Sequence, residues 1–104
     1  MRHEVSVSFD GQDWLDTPVA AEDVLPSEEA RHWLDAEFVR LDCSPLRASG
    51  KVLTADKLLA IAATVGRRRF EEDADFRTGY ATAAIAAMGR PVVRVDVAAS
   101  RVVA

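Results

Sequence analysis

Apolar and polar residues alternate from His3 to Phe9, with Val5, Val7 and Phe9 on one side and Ser6 and Ser8 on the other. That period of two predicts a strand with one buried face. Asp10-Gly11 follows directly, and because both residue types tolerate positive φ the pair predicts a hairpin turn. Gln12, Asp13, Trp14 and Leu15 then read as a short returning strand ended by Pro18.

A helical period takes over after Pro26. Ala30, Trp33, Leu34, Phe38 and Leu41 share one face, with Ser27 as predicted cap and Glu28 and Glu29 at the positive end of the dipole. Ser44-Pro45 is expected to end this helix, Asp42 to Lys51 to form a loop, and Val52 and Leu53 to add a short edge strand. Thr54 is the predicted cap of a second helix whose apolar face is Leu58, Ile61, Ala62 and Val65. Beyond Gly66 the stretch GRRRFEEDADFR pairs Arg67 with Glu71, Arg68 with Glu72 and Arg69 with Asp73 at four-residue spacing. Such pairs support helix by a few tenths of a kcal/mol each, so helix is expected through most of the stretch, with a kink near Gly66.

Phe76, Tyr80, Ala83, Ala84, Ala87 and Met88 continue at spacings of three and four, one buried face of a further helix. Gly79, Ala83 and Ala87 draw a line of small residues along it, which lets a neighbouring element approach the backbone closely. Gly89 and Pro91 stop the helix. Val93, Val95 and Val97 alternate with Arg94 and Asp96 as a final strand, which Arg101 to Val103 either extends or folds back against.

These elements predict a single α+β domain over residues 1–104, with a small antiparallel sheet made of the N-terminal hairpin and the C-terminal strand. About three helices cover one face of that sheet. A sheet this small leaves open edges, and pairing of the valine-rich terminal strand with its own copy predicts a homodimer or a partner complex.

Charge and composition narrow the function. A formal net charge of −4 and a pI near 5.1 make nucleic acid an unlikely partner. No apolar run approaches the roughly 20 residues of a membrane helix and no signal-like core opens the chain, so a soluble, cytoplasmic protein is expected. A lone cysteine, Cys43, excludes an internal disulfide. No HExxH, CxxC, GxGxxG or GxxxxGK occurs, so no metal and no cofactor are expected.

The segment SFDGQDW, Ser8 to Trp14, resembles the Asp-box hairpin of sialidase-type propellers, in which serine, aspartate, glycine and tryptophan recur in each blade. Here glycine follows aspartate directly and the segment occurs once, so it reads as a turn with a packed tryptophan.

Among candidate site residues, Arg67, Arg68 and Arg69 could bind an anion or an acidic surface through their guanidinium forks, while the acids one turn later offer neutralisation in cis. Phe70, off the apolar register of its helix, forms with Trp33 and Tyr80 a candidate interface or anion site, the alternative being a core aromatic whose face the register misassigns. His32 and His3 lack an orienting partner or a nucleophile, although Asp35 and Glu28 lie within three or four residues of His32. Cys43 has Arg40 and Arg47 near it in sequence.

The expected function is a small non-catalytic binding or accessory protein, of regulatory or adaptor type, acting through protein–protein contacts. An inhibitor using the acidic segments Glu22 to Glu29 and Glu71 to Asp75 is one version of it. The alternative is a small cofactor-independent enzyme with a pocket between helices and sheet that uses Tyr80, His32, an arginine, or an acid such as Asp75 or Asp96.

Overall fold

The computed structural model describes residues 2–43 and 54–103. The Ser44-Pro45 stop, the body of the loop through Lys51, Arg47 and the edge strand at Val52 and Leu53 lie outside the described residues.

Strand β1 (His3–Ser8) and strand β2 (Trp14–Val19) form the predicted antiparallel hairpin, with Val7 opposite Leu15 and Ser8 opposite Trp14. Gly11 takes φ 81° in the turn. The Asp10 carboxylate accepts hydrogen bonds from the Gln12 and Asp13 amides, both at 2.8 Å, and the Ser8 hydroxyl accepts one from the Gly11 amide at 2.9 Å. These backbone donors, Asp13 foremost, hold the Asp10 carboxyl below the usual aspartate range. The strand continues through Pro18 to Val19, which is possible because β2 lies at a sheet edge, where no neighbour needs the missing N–H.

Three helices follow: α1 (Ser27–Arg40), α2 (Thr54–Glu72) and α3 (Ala74–Met88). Pro26, rather than Ser27, occupies the cap position of α1; Ser27 is the first helical residue and no side chain caps the end. Gly66, at φ 79° and ψ 170°, breaks α2 internally at the expected place. A second break comes at Asp73, whose carboxylate accepts from the Phe76 amide at 2.9 Å and caps α3. Gly89 then ends α3 in the left-handed conformation at φ 67°.

Strands β3 (Val92–Asp96) and β4 (Arg101–Val103) complete a four-stranded sheet in the order β2-β1-β3-β4. The tail folds back antiparallel to β3, with Asp96 opposite Arg101. The centre of the sheet departs from expectation, because β1 and β3 are parallel, Val5 beside Val93 and Val7 beside Val95. The sheet is therefore mixed, not antiparallel throughout. A crossover that passes through three helices can deliver β3 alongside β1 in the same direction, and alternation in sequence is blind to strand direction.

Val5, Val7, Val93 and Val95 point to one face, on which α2 and α3 lie, while α1 packs across both helices. Helix α3 buries Phe76, Tyr80, Ala81, Thr82, Ala83, Ala84 and Ile85, so it is enclosed nearly all round and not along the single predicted stripe. Gly79 serves the close approach expected of it: a methyl group placed there would stand 3.0 Å from the Trp33 indole of α1.

This contact sets a test. Gly79→Ala lowers the Tm, since the added methyl meets a rigid ring that also stands against Phe76 and Tyr80. In a Trp33→Ala background the obstruction is gone and the same substitution stabilises by about 1 kcal/mol, the helix advantage of alanine over glycine. Thermal unfolding of the four proteins decides it: equal effects in the two backgrounds refute the contact.

Candidate functional site

The strand residues that alternate with the core valines form a second face of the sheet. It carries Glu4, Ser6 and Ser8 from β1, Trp14 and Asp16 from β2, Val92, Arg94 and Asp96 from β3, and Arg101 and Val103 from β4. Among the described residues no helix packs on it, and Asp16, Val92, Arg94, Arg101 and Val103 are exposed. Its centre is built by size. Ser6 and Ser8 stand little above the backbone, and the Arg94 guanidinium reaches across to lie 4.1 Å over the Trp14 ring. The two long side chains close over the central strand, which accounts for serines only 4% and 0% exposed on an otherwise open face. Ser6 donates to Asp16 at 2.6 Å, and Glu4 is ion-paired with Arg2. Val92 and Val103, at 42% and 49%, are two of the three exposed large aliphatics among the described residues; Val39 on α1 is the third.

The arginine triplet is occupied in cis. Arg67 pairs with Glu71 and lies 4.0 Å from Asp10 and 3.7 Å from Asp13, tying α2 to the hairpin turn. Arg68 meets Glu72 at 3.0 Å. Arg69 meets Asp73 at 2.9 Å and lies 4.5 Å over the Phe76 ring. The guanidinium groups are thus spent on three different neighbours and do not converge on one ligand position.

The three aromatic candidates are brought together, but inside the protein. Phe70 is 1% exposed, with ring centroids 4.9 Å from Tyr80 and 5.2 Å from Phe76 in edge-on contacts. The apolar register of Leu58, Ile61, Ala62 and Val65 does not extend to Phe70, because the backbone at Gly66 is non-helical. Tyr80 is fully buried, its hydroxyl donating to the Leu58 carbonyl at 2.7 Å, and burial pushes its pKa far above the ordinary tyrosine value. Neither residue can present an interface. Trp33 alone of the three is half-exposed, against Gly79.

The groups named for an enzyme are scattered. His32 is exposed on α1, and Asp35 pairs with Lys57 of α2. Cys43 is buried with its Sγ 3.8 Å from the Thr64 hydroxyl. Asp75 lies in the first turn of α3, whereas Asp96 accepts from the Ala99 amide in the β3–β4 turn. Among the described residues no three His, Cys, Asp or Glu side chains gather as a metal site. An open groove of about 680 Å³ at the junction of α2 and α3 is lined by Arg68, Arg69, Glu72, Asp73 and Asp75; Arg68 pairs with Glu72 and Arg69 with Asp73.

The outer face was not found from sequence. Its signal was present as serines alternating with core valines, a tryptophan after the turn and an arginine in the last strand, but only the register of β1 against both neighbours brings Trp14 and Arg94 together. No described helix is long and apolar enough to cross a membrane. No protein-family model, curated protein or solved structure matches this chain.

Two residues here have testable energetics. Tyr80 is the sole tyrosine. Its folded pKa is raised, so the stability it confers is complete below the unfolded value near 10 and is lost as pH rises above it, by up to about 1.4 kcal/mol per pH unit. Tyrosinate absorbance should appear only with unfolding, and Tyr80→Phe should flatten the alkaline decline; tyrosinate formed in folded protein counts against the burial. At Asp73, the capping hydrogen bond from Phe76 depresses the carboxyl, so its contribution is present above the ordinary value of 3.8 and fades as pH falls through the folded one. Asp73→Ala should lower the Tm at neutral pH, Asp73→Asn should restore most of it, and the Asp73→Ala deficit should shrink in acid.

Proposed function

We propose that the protein is a small, cytoplasmic, non-catalytic accessory protein that acts by docking on a protein surface through the outer face of its sheet. One observation carries the reading. Val5, Val7, Val93 and Val95, which point towards the helices, are enclosed, whereas Val92 and Val103 are exposed and Trp14 is half-buried on a face that no described element covers. Aromatic, arginine and aliphatic groups side by side are the composition of protein interfaces, where tryptophan and arginine supply much of the binding energy.

The charge pattern favours protein over nucleic acid. Glu4, Asp16 and Asp96 are interspersed with Arg94 and Arg101, so the face offers no continuous cationic track for phosphates. Inside the fold, Tyr80 is sealed and the remaining reactive groups lie on separate elements, which sets the docking reading ahead of the enzyme.

The test is site-specific photo-crosslinking in living cells. A photoreactive residue at position 92 should give a discrete protein adduct, and the same residue at position 39 on α1 should not. Adducts from position 39 alone, or none from position 92, refute docking through the sheet.

A further inference from the structure

We infer that a small cavity among the three helices binds a phosphate-type oxyanion, free or as the head of a small phosphorylated metabolite, held by Arg31 of α1 and Lys57 of α2. The site is built from the helices alone and does not depend on docking through the outer face of the sheet.

The cavity encloses about 260 Å³. Helix α3 contributes only Ala86 and Ala87 to its wall, and these short side chains leave the space open. Ser27, Arg31 and Asp35 line it from α1, and Thr54 and Lys57 from α2. Two cations therefore stand there with one carboxylate, in a chain whose formal net charge is −4. The spare charge belongs to Arg31. Asp35 lies one helical turn after it, the relation in which Glu71, Glu72 and Asp73 neutralise the arginine triplet, but Asp35 is ion-paired with Lys57 instead. Among the described residues Arg31 has no ion-pair or hydrogen-bond partner. The Lys57 side chain is only 21% exposed, and of its three N–H donors the Asp35 carboxylate takes one. The hydroxyls of Ser27 and Thr54 likewise have no partner among the described residues.

These donors set the ligand class. A guanidinium fork, an ammonium and two hydroxyls on separate helices suit an anion with oxygens on several sides, which a phosphoryl group has and a planar carboxylate lacks. Its charge of about −1.5 to −2 near pH 7 offsets Arg31 and Lys57 together. Size sets the upper limit. The cavity holds several waters at about 30 Å³ each, yet falls below the roughly 300–1,000 Å³ of pockets that take drug-sized ligands, so a nucleotide exceeds it. The larger groove at the α2–α3 junction is no rival, since Arg68 and Arg69 are paired there and Asp75 adds a further negative charge. Asp35 remains a competitor for Lys57, so the affinity is modest. With about two charge-assisted bonds, the dissociation constant is on the order of 1 mM.

Amide chemical shifts of the whole chain read the site while inorganic phosphate replaces chloride at constant ionic strength, from about 0.1 to about 30 mM. Saturating shifts are expected at Ser27, Arg31, Thr54 and Lys57. Arg31→Gln should weaken binding about tenfold or more, and Asp35→Asn, which releases Lys57, should strengthen it. Ala87→Leu narrows the space without altering a charge and should weaken binding as well. Circular dichroism of each variant establishes that it is folded, and the titration of the unaltered protein needs no substitution. Glycerol phosphate binding more tightly than inorganic phosphate assigns the site to a phosphorylated metabolite, and the reverse order assigns it to the free ion. The inference is overturned by shifts that do not saturate, by shifts centred on Arg67 to Arg69 or on Arg101, by binding indifferent to Arg31→Gln or Ala87→Leu, or by acetate binding as tightly as phosphate.

Discussion

The fold depends on bringing neighbours to within touching distance of the backbone of α3. This helix is rich in alanine and short of long side chains, so it cannot reach out to fill space; the surrounding elements must come to it. On one side the valines of β1 and β3 do so, and on the other the Trp33 indole settles onto Gly79. The buried Tyr80 hydroxyl of α3 donates to the Leu58 carbonyl and so fixes α2 against α3. Phe70 and Phe76 close around that ring. All three described helices gather on the side of the sheet where α3 lies, and among the described residues none covers the outer face.

Seen this way, two arginine features that look alike in sequence have opposite standing. The run Arg67 to Arg69 is conspicuous, yet each member is matched by an acid one helical turn away, and Arg67 also leans on the hairpin turn at Asp10 and Asp13. The single Arg94 is inconspicuous, yet it spans the central strand to cover Trp14. A contact of that kind is worth roughly 0.5–1 kcal/mol at an exposed site, enough to hold two rotamers but not enough to seal the surface. The outer face is thus ordered at Trp14 and Arg94 while Val92 and Val103 beside them stay exposed.

Much of the architecture was legible along the chain. The alternation at Val5 and Val7, the Asp10-Gly11 turn, the stop at Gly89 and the close approach at Gly79 rest on local rules, and each is found where those rules put it. What escaped depends on information that is not local. The parallel pairing of β1 with β3 is set by how the helices cross over, which periodicity does not encode. Whether Phe70 faced the core or the surface stayed open along the chain, because the non-helical Gly66 breaks the register before it. Asp73 was counted as a salt-bridge partner for Arg69, which it is, but its second role as the cap of α3 required knowing that the helix breaks there. The outer face was missed for a similar reason, since its members lie far apart in sequence and share only a side of the sheet.

The central pairing has a consequence for how the chain comes to be folded. Strand β1 is complete early, yet the neighbour on its other side, β3, is drawn from residues 92–96. At translation rates of about 5–20 residues per second, some five to twenty seconds separate the emergence of the two. Until β3 emerges, the amides and carbonyls on that side of β1 lack their partner in the sheet, the condition that invites adventitious pairing. High contact order of this sort slows closure even after release. A chaperone that shields β1 during synthesis would therefore affect the yield of this protein more than it would that of a helical bundle of equal length.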